Sequence, residues 1–209
     1  MKKRIIFDVD DTLIPWEMTY YKELRKILKE NGIKLSFYRF YKVLKGIDKY
    51  EKTHDSWNKE EFCKYLSEIS KVEINDEYFL LILKWLEDCV YTVASDEIKK
   101  TLKYLQKNYD LVVLSNSFKI VQVKRLEKFG ILKYFKEIYG GDEIMKPNKK
   151  AYLLACGNCN PKDCFMVGDN LEYDCIAPQK LGITPIYVSK KKHKNIITIK
   201  NVEELINIL

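Results

Sequence analysis

Short apolar runs alternate with helix-like stretches through the second half of this chain, and this alternation restricts the fold more than any other feature. Residues 111–114, 138–139, 165–167 and 186–188 carry no alternating polar positions, as expected of strands covered on both faces. Helical patterns separate them. Ser95 precedes a helix carrying Ile98, Leu102 and Leu105. Residues 119–129 form a second, stopped by Gly130. Residues 148–155 and 171–181 follow, the latter stopped by Gly182, and residues 202–209 close the series. Near the start, residues 4–7 form a further apolar run that ends in acids. The pattern predicts an α/β fold, a Rossmann-like parallel sheet with helices on both faces.

The alternation is interrupted once. From about Glu17 to Glu87 the periodicity is almost wholly helical. Tyr20, Leu24, Ile27 and Leu28 share one face, and Phe62, Tyr65, Leu66 and Ile69 share another. Asn58 and Glu61 have the spacing of a helix start. The expected organisation is a catalytic core of residues 1–15 and 93–209, with an inserted all-helical cap over residues 16–92.

Composition excludes several classes. The 209 residues are 46% hydrophobic and 32% charged, so a folded globular chain is expected rather than a disordered one. No apolar run approaches the roughly 18 residues of a membrane span, and residues 5–7 are too short for a secretory leader; a cytoplasmic location is the expectation. The six cysteines are then expected as thiols. Cys156 and Cys159 form a lone CxxC, read as small buried residues because zinc ribbons repeat that unit. The net charge of +7 comes almost entirely from lysine. The 190–194 run is read as a solvated loop, and the scarcity of arginine disfavours nucleic acid as a partner.

In open parallel sheets, ligands bind beyond the carboxyl ends of the strands. Those positions hold Asp8-Val9-Asp10-Asp11-Thr12, then Ser115-Asn116-Ser117, then Lys146 past Gly140-Gly141, then Gly168-Asp169-Asn170 with Asp174 five residues beyond Asp169. Acids, a hydroxyl and one lysine thus converge on one edge from distant segments.

In this order the motifs resemble those of the haloacid dehalogenase superfamily: DxDxT, a Ser or Thr, a Lys, and GDxxxxD. The resemblance implies a Mg²⁺-dependent phosphatase that works through an aspartyl phosphate. It makes Asp8 the nucleophile and Asp10 the general acid and base. It assigns Mg²⁺ to Asp8, the Asp10 backbone carbonyl and Asp169, with Asp174 orienting Lys146 or a metal-bound water. Lys146 and Ser115 would bind the phosphate, helped by backbone N–H groups near Asn116, whose side chain is a weaker candidate. Dehalogenases of the family lack an acid at the Asp10 position, which argues against that chemistry. The segment Val93-Ala94-Ser95-Asp96 lacks the Pro-Gly often seen there, so its hinge conformation is open. A helical cap over the site implies a small phosphorylated metabolite such as a sugar phosphate, triose phosphate or nucleoside monophosphate. Tyr21, Arg39, Tyr50, His54 and Trp57 are cap residues that either face it or serve surface and core. The rival readings are a sugar phosphomutase using the same site, a catalytically silent binding protein, and a lysine-rich nucleic-acid binder.

Overall fold

The computed structural model describes residues 2–209; Met1, the first residue of the expected core segment, lies outside them. Lys3–Phe7 forms β1, whose Ile5, Ile6 and Phe7 are fully buried. Burying three such side chains contributes about 1.5–3 kcal/mol each before entropy is counted. The other strands are β2 (Tyr109–Leu114), β3 (Glu137–Tyr139), β4 (Cys164–Gly168), β5 (Thr184–Val188) and β6 (Ile197–Ile199). They form one sheet in the order β3-β2-β1-β4-β5-β6, with every pair parallel.

Side chains alternate across this sheet and build two cores. Ile5, Phe7, Leu111 and Val113 face one way, against Leu102, Leu105, Leu126 and Phe129. Ile6, Val112, Leu114 and Met166 face the other, against Ala151, Tyr152 and Ala155. The covering helices are α5 (Asp96–Leu105) and α6 (Lys119–Phe129) on the first face and α7 (Lys149–Cys156) on the second. Parallel strands covered on both faces must be apolar on both, which is why their runs show no alternation.

Between β1 and α5 come four helices: α1 (Thr19–Glu30), α2 (Phe37–Thr53), α3 (Lys59–Ser70) and α4 (Asp76–Asp88). Side-chain caps start three of them. Ser36 accepts from the Arg39 N–H, Asn58 from Glu61 and Asn75 from Tyr78. Their apolar stripes meet in a core of their own around Leu24, Tyr50, Phe62, Leu66 and Trp85. Trp85 Nε1 donates to the Tyr20 carbonyl at 2.7 Å, tying α4 to α1. At Gly46, where α2 crosses α3, a Cβ would collide with the Ile69 side chain. The helical layer rests on the sheet's carboxyl edge: Trp57 N–H donates to Gly141 O at 2.9 Å, and Met145 N–H to Asp55 O at 2.6 Å.

Four expectations change in detail. Residues 171–181 are not one α-helix; Leu171–Ile176 is a π-helical turn followed by a single α-turn at Ala177–Gln179. The closing segment Val202–Asn207 is a 3-10 helix. The edge strand β6 was not expected. The segment lacking Pro-Gly needs no left-handed residue there: Ala94 N–H bonds Phe129 O at 2.9 Å, and Ser95 caps α5 through the Ile98 N–H. Among the described residues, no helix is long and apolar enough to cross a membrane.

Candidate active site

The strand order reverses direction at β1, which lies between β2 and β4, and this is where the carboxyl edge opens into a crevice. The register aligns the exits, with Phe7 opposite both Val113 and Val167. Asp8, Ser115 and Asp169 therefore emerge side by side. Asp8 N–H still donates to Val167 O at 2.9 Å, so the strand geometry carries through to this residue. The chain then curls, with the N–H groups of Leu13 and Ile14 both bonding Val9 O. Asp11 takes a positive φ of 56°, a conformation short polar side chains tolerate.

Lys146 is the centre of the charge arrangement. Its Nζ donates to Asp8 Oδ1 and to Asp174 Oδ1, both at 2.7 Å, and all three side chains are buried or nearly so. Burial alone would push the Lys146 ammonium down, but Asp174 and Asp8 outweigh it and hold it well above its ordinary value. Burial drives the Asp8 carboxyl well up, against the pull of Lys146, with Asp174 and Asp10 adding to the rise. Asp169 is pushed up to about 6 by burial, with Asp174 and Asp11 adding.

Asp8, Asp169 and Asp174 each bring a carboxylate oxygen within 4.8 Å of the others. One ammonium among three acids, two buried and Asp169 half-buried, leaves the cluster net negative, and an all-oxygen donor set suits a hard divalent cation. Both Asp174 oxygens already accept hydrogen bonds, one from Lys146 and one from the Asn170 N–H at 3.0 Å. Gly168 makes room for this residue: a Cβ there would overlap the Asp174 carboxyl carbon. Gly168→Ala is expected to destabilise the protein by about 1–3 kcal/mol, read by thermal denaturation; an unchanged midpoint would contradict this packing.

Asp10 lines the same cavity, but its carboxylate turns to α6. Arg125 Nη1 binds one oxygen, and Gln122 Nε2 binds the other at 2.9 Å. Gln122 Nε2 also reaches Ser115 Oγ at 2.8 Å, so one amide joins the two expected site residues. Arg125 is fully buried; its guanidinium lies 5.4 Å from the Trp16 ring centre and within 3.5 Å of the Cys89 carbonyl. It thus touches both chain segments that connect the helical layer to the sheet. Gln122 and Arg125 were missed in the sequence because polar residues on a helix usually face water. The signal was the spacing of Arg125 four residues after Val121, beside Leu126, in a chain with four arginines.

Asn116 lines the cavity and is held by several hydrogen bonds. Its amide clasps the Lys146 backbone, donating to its carbonyl at 2.9 Å and accepting from its N–H at 2.7 Å. The same amide donates to Glu51 of α2 at 3.0 Å, and the Asn116 carbonyl accepts from Trp57 Nε1. The side chain thus ties the Lys146 backbone to the helical layer while Asn116 also lines the cavity. Burial raises the Glu51 carboxyl, against the Asn116 hydrogen bond and Lys146.

These residues line a cavity of about 360 Å³ between the sheet edge and the helical layer. Of Tyr21, Arg39, Tyr50, His54 and Trp57 in the helical layer, Tyr21 and Trp57 line it. Tyr50 is buried in the helical core and stacks on His54 with ring centres 3.7 Å apart, while Arg39 is exposed. Cys156 and Cys164 pack in the core beneath the sheet, and Cys159 Sγ donates to the Lys2 carbonyl.

Residues 2–182 match the haloacid dehalogenase-like hydrolase family. A glyceraldehyde 3-phosphate phosphatase from Methanothermobacter thermautotrophicus is 23% identical over 206 residues, covering 91% of this chain and 87% of its own. A phosphoglycolate phosphatase from Aquifex aeolicus is 29% identical over 193 residues, covering 85% and 80%. The crystal structure of the HAD-hydrolase YfnB from Bacillus subtilis, bound to magnesium, superposes with a TM-score of 0.75 at 20% identity, covering 100% of this chain and 98% of that one. With the sheet order, the acid–lysine cluster and these relatives together, the chain belongs to the haloacid dehalogenase-like hydrolases, among that family's phosphatases.

Proposed function

We propose that this protein hydrolyses a small phosphate monoester with Mg²⁺, through a phosphoryl group carried on Asp8. The observation that carries the reading is the Asp8–Lys146–Asp174 chain at 2.7 Å spacings, beside Asp169 at the floor of a covered cavity. Relatives that are phosphatases of glyceraldehyde 3-phosphate and phosphoglycolate support a small substrate. Residues 16–92 act as the cap, and residues 1–15 with 93–209 as the core.

The residues divide the work as follows. An Asp8 carboxylate oxygen attacks phosphorus, and the bond from phosphorus to the ester oxygen breaks. Asp10 gives its proton to that departing oxygen. Water then attacks the aspartyl phosphate, Asp10 takes the water proton, and inorganic phosphate leaves with Asp8 restored. Lys146 offsets the charge of Asp8 and of the phosphoryl oxygens, while the Ser115 hydroxyl and the backbone beside Asn116 donate to them. Asp8, Asp169 and the Asp10 carbonyl would hold Mg²⁺, with Asp174 fixing Lys146. The cation would supply neutralisation of the acids and polarisation of the phosphoryl group. Gln122 and Arg125 orient Asp10 and Ser115.

Phosphate release from an aryl phosphate, with Mg²⁺ and with chelator, tests this. Release that depends on Mg²⁺ is expected. Release that survives the chelator unchanged would contradict it. Asp10→Asn is expected to slow turnover by about a hundredfold or more, with the protein still folded; normal turnover would remove Asp10 from the proton transfers.

A further inference from the structure

The walls of the cavity carry information about the group attached to the phosphate. The floor is charged, and its two cations are both taken: Lys146 by Asp8 and Asp174, Arg125 by Asp10. Above the floor, the helical layer contributes two acids, the half-buried Glu51, which accepts from Asn116, and Asp48 at the solvent side, which pairs with the exposed Lys52 at 2.8 Å; among the described residues, no lysine, arginine or histidine of that layer lines the cavity itself. This is notable in a chain of net charge +7 whose cap is rich in lysine; the lysines face water. The rest of the upper wall is apolar and largely aromatic, with Trp57, Phe62, Trp85, Phe118 and Tyr21.

We propose that the cavity selects esters whose leaving alcohol is uncharged and ring-bearing, with hydroxyl or amino donors turned to Asp48 and Glu51, and that it rejects esters carrying a carboxylate or second phosphate. This rests on the phosphatase reading and narrows its substrate class. A second anion would enter a half-open space beside the half-buried Glu51, which repels it, and the cations that line the cavity are already paired with acids, as is Lys52 at its rim. A ring, in contrast, meets flat apolar faces, and its donors meet carboxylates. A nucleoside monophosphate has this chemistry; a phosphorylated short carboxylic acid does not.

Glycerol phosphate and phosphoglycerate differ in charge at nearly equal size, and phenyl phosphate adds a ring without a charge. With the full-length protein and Mg²⁺, kcat/KM is expected to be about a hundredfold or more lower for phosphoglycerate than for glycerol phosphate. Phenyl phosphate and uridine monophosphate should exceed glycerol phosphate. In a double variant, Asp48→Asn with Glu51→Gln, the glycerol phosphate to phosphoglycerate ratio should fall by about tenfold. Because both esters are measured on one protein, partial unfolding leaves this ratio unaffected. Equal or better turnover of phosphoglycerate would overturn the proposal while leaving the phosphatase reading intact. Failure of the phosphatase reading looks different: no ester releases phosphate. Thermal stabilisation by the same esters then decides the selectivity, since greater stabilisation by phosphoglycerate than by phenyl phosphate would overturn it and the reverse order would support it.

Discussion

Asp8→Asn is expected to abolish turnover, by at least about ten-thousandfold, while leaving the fold intact and the metal-free protein at least as stable. The two halves of this result have separate causes. Activity is lost because an amide cannot form the acyl phosphate. Stability is kept because the Asp8 carboxylate is a burden in the folded state: burial raises its proton affinity, Lys146 opposes this, and Asp174 and Asp10 add to it. The sign follows. An acid whose folded pKa lies above its unfolded value leaves the folded state unpenalised at low pH, and stability falls as pH rises through the folded pKa. At neutral pH a neutral isostere removes that penalty, at the cost of one hydrogen bond from Lys146. Activity and thermal midpoint, measured on one preparation in chelator, check this. A large drop in the midpoint would make Asp8 a structural residue.

Lys146→Met should behave in the opposite way, losing activity and stability together. The ammonium is buried, and both of its hydrogen-bonded partners are carboxylates that are themselves buried. Removing one partner of a buried ion pair leaves uncompensated charge and costs about 3–5 kcal/mol. The expected loss of turnover is about a thousandfold, since the phosphoryl oxygens lose the cationic side chain that is bonded to Asp8. Mg²⁺ should restore part of the stability and none of the activity. Denaturation with and without Mg²⁺, beside phosphate release, measures both. A variant as stable as the parent would mean that Asp8 and Asp174 do not depend on Lys146 for charge compensation.

The contrast between these two variants depends on long-range pairing, which the sequence discloses only in part. Strand exits were legible because wholly apolar runs ended in Asp8, Ser115 and Gly168-Asp169. The helical insertion was legible from its 3.6-residue period and from Asn58 as a cap. Other features had no local signature. β6 is short, half-exposed and preceded by a lysine-rich loop, so its pairing with β5 depends on the sheet already being there. The π-helical turn at Leu171–Ile176 was hidden behind an ordinary helical pattern. Asn170 caps it through the N–H groups of Glu172 and Tyr173, and the buried Asp174 carboxylate reaches back to Lys146 and the Asn170 N–H. Such widened turns recur where a side chain must be aimed at a functional site.

The site shows the same division. Asp8, Asp10, Ser115 and Asp169 follow strand exits, Lys146 and Asp174 lie several residues further along, and all six line one cavity. Asn116 also lines it, and its bonds to the Lys146 backbone, one as donor and one as acceptor, were not legible in the sequence. Gln122 and Arg125 were not legible from position. They lie on α6 away from any strand exit, and their importance comes from Asp10 and Ser115 being within reach.

The central claim is that Asp8 carries the phosphoryl group, and it can be read directly. Asp10→Asn protein, mixed with an aryl phosphate and Mg²⁺ and quenched in acid, is digested and its peptides weighed. The account predicts the added mass of one phosphoryl group on the peptide containing Asp8, absent when Asp8 is also changed to Asn. Phosphate release from the parent protein with no such adduct in any quenched sample, or an adduct on a peptide lacking Asp8, would contradict it.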